Sequence, residues 1–224
     1  RPDWETVLDL DELGKQEGTD WVWAGAQFLH PDYTRVLLRL SPDGGDAVVV
    51  REFDVDGKAF VDDGFHVPHA KTQVAWIDRE TIWVNTDFGP GSMTTSSYPR
   101  QARRLRRGQS LADAALVLEV PEDHMALWSG HDHTEGFERD ILRDAVDFFH
   151  GHYYVLQDDE PVRLDVPDDA TIEFHREWLL IRLRTDWDVA GHSHPAGALL
   201  ATNVDAFLAG ERDFRVLFRP DERT

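Results

Sequence analysis

The chain of 224 residues contains no cysteine. Disulfides, thiolate zinc sites and cysteine nucleophiles are excluded together. The same absence fits a reducing compartment, so the cytoplasm is the expected location and the periplasm the alternative. Positive charge is scarce. Lys15, Lys58 and Lys71 are the lysines, and 23 Lys and Arg face 43 Asp and Glu, for a formal net charge of −20. That balance repels nucleic-acid phosphates and anionic lipid headgroups, so neither nucleic acid nor membrane is an expected partner. No apolar run approaches the ~20 residues that cross a bilayer, and no secretory leader pattern is visible.

Also missing is Gly-x-Ser-x-Gly, the strained turn that exposes a nucleophilic serine. Ser129 is followed by Gly130 but has no glycine two positions before it. Ser92, Ser96 and Ser97 lie in a Gly/Thr/Ser-rich stretch with no helix start. Asp87-Phe88-Gly89 matches the kinase magnesium triplet in type, but no His-Arg-Asp loop or Gly-rich strand pair with a lysine accompanies it. Gly89-Pro90-Gly91-Ser92 is too short and too constrained by proline for a phosphate loop. Catalytic, cofactor-binding and metal residues are therefore all read as none, and substrate-binding residues as unknown.

Hydrophobic residues make up 41% of the chain and aromatics 11%, with 8 Trp and 12 Phe. That supports a sizeable core in one domain or two small ones. Short strands dominate. Arg35–Leu40 and Ala47–Phe53 flank the turn signal Ser41-Pro42-Asp43-Gly44-Gly45, and Phe53–Phe60 reads as strand, Asp56-Gly57 turn, strand. Gln73–Ile77 and Thr81–Val84 make a hairpin, joined after a long polar loop by Arg100–Arg107 and Ala115–Val120. A third set runs from His124 to Val166, and a fourth contains Trp178–Leu183, Ala198–Thr202 and Arg215–Phe218. Clusters of four strands recurring every ~45 residues are the pattern of propeller blades. The fold class expected is all-β, with blades at 21–62, 72–120, 124–166 and 171–218. Glu5–Leu10 reads as an extra N-terminal strand leading into a helical turn near Leu13. Asn203–Ala209, with Gly210 as its cap, reads as a short helix.

Three histidine pairs, His131/His133, His150/His152 and His192/His194, have the i, i+2 spacing that puts both rings on one face of a strand. Their Gly and Pro neighbours favour surface turns over metal ligation. The one dense basic run, Arg103, Arg104, Arg106 and Arg107, reads as a solvated strand surface. No pair among the many carboxylates can be singled out for acid–base work.

Arg51-Glu52-Phe53-Asp54, Thr86–Ser92 and Ser97-Tyr98-Pro99-Arg100 resemble the N-terminal propeller of bacterial prolyl oligopeptidases, with Thr86–Arg100 the most specific stretch. Leu40–Phe53, His175–Leu183, Pro195–Ala201 and Phe207–Phe214 are similar to the same group. The resemblance implies a seven-bladed propeller inserted into an α/β-hydrolase domain. That domain carries the catalytic serine, aspartate and histidine, while the propeller restricts access to short peptides cleaved after proline. No catalytic residue carries over onto this chain, so the chain alone is expected to be inactive. The expected partners are the hydrolase domain of the same parent chain and short peptide substrates. A free-standing propeller acting as a binding scaffold is the alternative. The start at Arg1 and a blade count short of seven lead us to expect a segment of a longer chain. Unpacked apolar faces are expected near Trp21-Val22-Trp23 and Val216-Leu217-Phe218, with self-association of an isolated segment as one consequence.

Overall fold

The computed structural model describes residues 3–221. Nineteen strands build four antiparallel sheets and one separate hairpin. The first sheet holds β1 (Val22–Phe28), β2 (Arg35–Ser41), β3 (Val48–Asp54), β4 (Ala59–Phe60) and β5 (His66–Ala70), with β4 and β5 sharing the free edge of β3. The second is β6 (Gln73–Asp78), β7 (Thr81–Asn85), β8 (Gln101–Arg106) and β9 (Ala115–Glu119). The third is β10 (Ala126–Asp132), β11 (Arg139–Ala145), β12 (Gly151–Gln157) and β13 (Glu160–Arg163). The fourth joins β14 (Thr171–His175), β15 (Trp178–Arg182), β18 (Leu199–Asn203) and β19 (Arg215–Phe218), and the hairpin β16 (Trp187–Val189) and β17 (His192–His194) projects from it. The second and third sheets are meanders of sequence neighbours, as in propeller blades, and the fourth keeps that order with the β16–β17 hairpin inserted between β15 and β18.

The strands alternate as two-sided sheets require. Val74, Trp76, Ile82, Val84 and Leu105 turn toward Leu37, Val48, Val50 and Val67 of the first sheet. Trp83, Ala102 and Val120 turn the other way, onto Leu127 and Leu142 of the third. Tyr153 and Val155 pack on Ile172, Leu179, Ile181 and Leu200 of the fourth. Three apolar layers thus separate four sheets.

The first strands of successive sheets point the same way. Asn85, opposite Gln73 at the start of β6, donates Nδ2 to the Leu127 carbonyl at the start of β10 (3.2 Å). His133, just past the end of β10, donates Nε2 to the Trp76 carbonyl (3.1 Å). Arg139, opposite Asp132, hydrogen-bonds the Arg176 carbonyl just past β14. The array therefore has an entry face, where first strands start, and an exit face, where they end. A four-stranded antiparallel sheet also finishes on the face where it began. β19 accordingly closes with Phe218 opposite Leu199, at the entry face.

The expected strand at Glu5–Leu10 is absent, and the helix α1 spans Leu10–Glu17 instead. Asp9 caps it by accepting from the Glu12 amide (3.0 Å), and Gly18 ends it at φ 68° with its N–H on the Gly14 carbonyl (2.8 Å). Leu8, Leu10, Leu13 and Trp21 lie over Val36, Leu38, Leu40 and Phe53, so much of the outer face of the first sheet is covered. A strand here would have needed an edge to pair with, whereas the helix only needs the apolar face. The β3–β4 loop is also longer than the two-residue turn expected, running from Val55 to Lys58, and the left-handed residue is Lys58 (φ 52°) rather than Gly57. The second helix, α2 (Val204–Leu208), lies where expected. Asn203 caps its start, and Ala209 precedes Gly210 at φ 95°.

No helix among the described residues is long and apolar enough to cross a membrane.

Candidate functional site

The polar constellations lie between sheets and on the entry-face loops. Asp140 of β11 gathers donors from three other strands: Trp83 Nε1 of β7 (2.8 Å), Arg104 of β8 (2.7 Å) and His131 Nδ1 of β10 (2.8 Å). Burial pushes the Asp140 carboxyl up, but the His131 and Trp83 hydrogen bonds and the charges of His131 and Arg104 outweigh it, and the carboxyl sits below the usual range. His131 also meets His133 at 4.6 Å between ring centroids, and His30, from the loop after β1, stacks on His133 at 5.4 Å. Burial holds the His133 imidazole below its ordinary pKa, reinforced by the charge of His131.

A second carboxylate, Asp144, is almost wholly buried and accepts from two imidazoles, His124 Nδ1 (2.8 Å) and His152 Nδ1 (2.9 Å). The histidines read as surface turns thus sit mainly on strands. His131, His152, His192 and His194 lie in β10, β12 and β17, and only His133 and His150 fall in loops. The i, i+2 spacing did mark the strand positions. What the neighbouring glycines concealed was an aspartate across the strand pair from two of them, Asp140 opposite His131 and Asp144 opposite His152. Among the described residues no three His, Asp or Glu side chains converge as a metal cradle.

The arginine run is corrected more sharply. Arg106 is exposed, but Arg104 and Arg107 bind neighbouring sheets together and Arg103 braces its own. Arg103 lies over the Phe88 ring (4.3 Å) and bonds Gln101 Oε1 (2.7 Å). Arg104 pairs with Asp140, and Arg107 reaches the buried Glu52 of the first sheet (2.8 Å). Burying Glu52 is tolerable because Arg107 and the Phe65 amide (2.9 Å) satisfy it.

The serines hold loops. Ser92 Oγ accepts from the Phe88 amide (2.8 Å) and donates to the Gly89 carbonyl (2.7 Å), with Asp87 Oδ1 at 3.1 Å. Arg100 fastens the same loop to the Gly91 (2.8 Å) and Val120 (2.6 Å) carbonyls. Asp87-Phe88-Gly89 is thus an Asx-type turn, with the Gly89 amide on Asp87 Oδ1 (2.8 Å). Ser129 Oγ bonds Asn85. Ser96 and Ser97 are exposed. None of these four serines bonds a histidine among the described residues.

The sequence profile of the prolyl oligopeptidase N-terminal β-propeller domain matches residues 1–136. The chain is 34% identical over 231 aligned positions to a peptidase of Sinorhizobium fredii and 26% identical over 240 to one of Rickettsia prowazekii; the matches cover 99% of the chain. They cover 32% and 33% of those proteins, so the chain spans about a third of the curated relatives' length. Among solved structures, a post-proline cleaving enzyme from Rickettsia typhi superposes on 99% of the chain with a TM-score of 0.90 and 26% identity, using 35% of its own length. Oligopeptidase B from Trypanosoma brucei shares the fold at a TM-score of 0.69 and 16% identity.

Proposed function

Because the chain belongs to the N-terminal β-propeller family of the prolyl oligopeptidases, we propose that it is the substrate-admitting propeller portion of a serine endopeptidase that cleaves short peptides after proline. The bond-breaking serine, histidine and aspartate would stand on an α/β-hydrolase domain of the same parent chain. The observation that carries this reading is that 99% of the chain superposes on 35% of the Rickettsia typhi post-proline cleaving enzyme. The four serines considered above support it, since Ser92 and Ser129 are spent on loop and inter-sheet hydrogen bonds and Ser96 and Ser97 stand exposed. The role left to these residues is to shape passage rather than to react.

The experiment compares this chain with the longest natural chain that contains it. The long form is expected to hydrolyse a prolyl reporter and to label with a fluorophosphonate, and this chain to do neither. Labelling of a serine in this chain, lost when that serine is replaced, would overturn the proposal. A long form without activity would favour a binding scaffold.

A further inference from the structure

On the exit face, hydrogen bonds and stacked imidazoles join three sheets. Trp76 of β6 donates its indole Nε1 to the Gln27 carbonyl of β1 (2.8 Å), and its own carbonyl accepts from His133 Nε2, just past β10 (3.1 Å). A single residue of the second sheet thus links the first strands of its two neighbours. The loop from Leu29 to Thr34 adds a direct contact between the first and third sheets. Its His30 ring stacks on His133, 20° from parallel at 5.4 Å between centroids, and meets Tyr33 edge-on at 5.6 Å. His131 meets His133 at 4.6 Å. His133 therefore touches two further imidazoles.

A neutral His133 suits this setting and an imidazolium does not. Burial disfavours the charge, and His131 and His30 repel it. The Trp76 carbonyl and Asp132 attract a proton but do not prevail. Asp132 is already engaged, since Oδ1 accepts from the Thr134 amide (3.0 Å) and hydroxyl (2.6 Å) and Oδ2 faces Arg139 at 3.8 Å. Asp140 is shared among Trp83, Arg104 and His131, and Glu138 acts on His131 and Asp132. On the loop itself, Asp32 accepts from the Thr34 amide (3.2 Å) and faces Arg79 at 3.8 Å. Neither His30 nor His133 pairs with a carboxylate among the described residues.

The fixings differ in strength. A charged His133 would donate more strongly to the Trp76 carbonyl, and His131 stays bonded to Asp140. His30 is exposed, and its ring makes no hydrogen bond among the described residues, so it is the ring that yields. We propose that His30–Thr34 is a latch across the exit face, shut while His133 is neutral and released when His133 takes up a proton, so that the first and third sheets can part there. The shut form excludes the proton. Its preference is full above pH 6.5 and is lost as pH falls through the lowered value of His133. One linked proton changes such an opening equilibrium by at most about tenfold per pH unit.

The test is hydrogen exchange of the longest natural chain that contains these residues, from about pH 8 to about pH 5, with each rate divided by its intrinsic value at that pH. Peptides covering 28–35, which hold the Tyr33 amide on the Leu29 carbonyl (2.9 Å), are expected to lose protection toward acid. Those covering the Asp147–His150 turn on the entry face are expected to keep theirs. H133Q retains a donor for the Trp76 carbonyl but takes up no proton, and is expected to hold the 28–35 protection constant. H30A is expected to lack that protection at both ends of the range. If H133Q does not fold, H133F takes its place, with the ring kept and the proton lost. Protection of 28–35 that does not vary with pH, an equal fall in the His133 variant, or a fall shared by the entry-face turn would overturn the proposal.

Discussion

Asp140 shows how much one buried carboxylate can organise. It is 11% exposed, and the indole it accepts from belongs to the fully buried Trp83. Asp140→Ala leaves that N–H and part of the Arg104 guanidinium without an acceptor. Breaking a buried ionic network from one side costs about 3 kcal/mol, and urea unfolding is expected to show a loss of that order, with D140N losing less because the indole keeps an oxygen. The exposed pair Asp147–His150 behaves differently. Its hydrogen bonds hold the Asp147 carboxyl down at about 2 and raise His150 above 6.5. The aspartate's contribution is present above 3.8 and lost as pH falls through about 2, while the histidine's is full below 6.5 and lost as pH rises through its raised folded value. The contact is therefore strongest between these limits. NMR titration is expected to place the His150 midpoint above 6.5, and that of His133, depressed by burial, below 6.5. Asp147→Asn is expected to return His150 toward its ordinary value.

At the scale of elements, α1 replaces a strand edge with a lid. Leu13 is its one buried residue and sits among Val36, Leu38 and Phe53. Leu13→Ala is expected to cost about 2 kcal/mol, at the low end for a core leucine because the site borders solvent. Thermal unfolding measures it, and a loss under half that would mean the helix only rests on the sheet. The turns follow local chemistry as closely. Asp158 and Asp159 both take positive φ (49° and 69°), so the β12–β13 hairpin uses the left-handed tolerance of aspartate where glycine is the usual choice.

For the molecule as a whole, the end sheets are unevenly protected. On the first, Val22, Trp23 and Phe28 are 44%, 54% and 50% exposed despite α1, and on the last Val216, Leu217 and Phe218 are 43%, 50% and 45% exposed. Apolar area left in water forgoes about 25 cal/mol per Å², and a patch of this kind favours association. Sedimentation of the chain alone is expected to show mass rising with concentration, reduced by F28S together with L217S. These changes are expected to shift stability by no more than about 0.5 kcal/mol, since both side chains are half in solvent. A monomer at every concentration would show that these exposed edges do not drive association.

The repeating strand clusters were legible from the sequence because blade strands alternate with the pleat and are joined by turns of Gly, Asp and Pro, both local signals. The framework of β2, β3, β6–β9 and β12 follows from them, as does the helix α2 with its Asn203 cap. Less visible were β5 and the β16–β17 hairpin, which are short and polar. The helical turn near Leu13 was legible, but the stretch before it was misread as a strand because Leu8, Leu10 and Leu13 suit either element until the sheet beneath them is known. The inter-sheet links could not be read at all. Arg104 and Asp140 are 36 positions apart, as Arg107 and Glu52 are 55, and no local pattern pairs them. Charge count alone made the arginines look solvated. Only stacking of the sheets turned Arg104 and Arg107 into half-buried partners of inward carboxylates, because a strand's two faces are set by the chain but what each face meets is set by the neighbouring sheet.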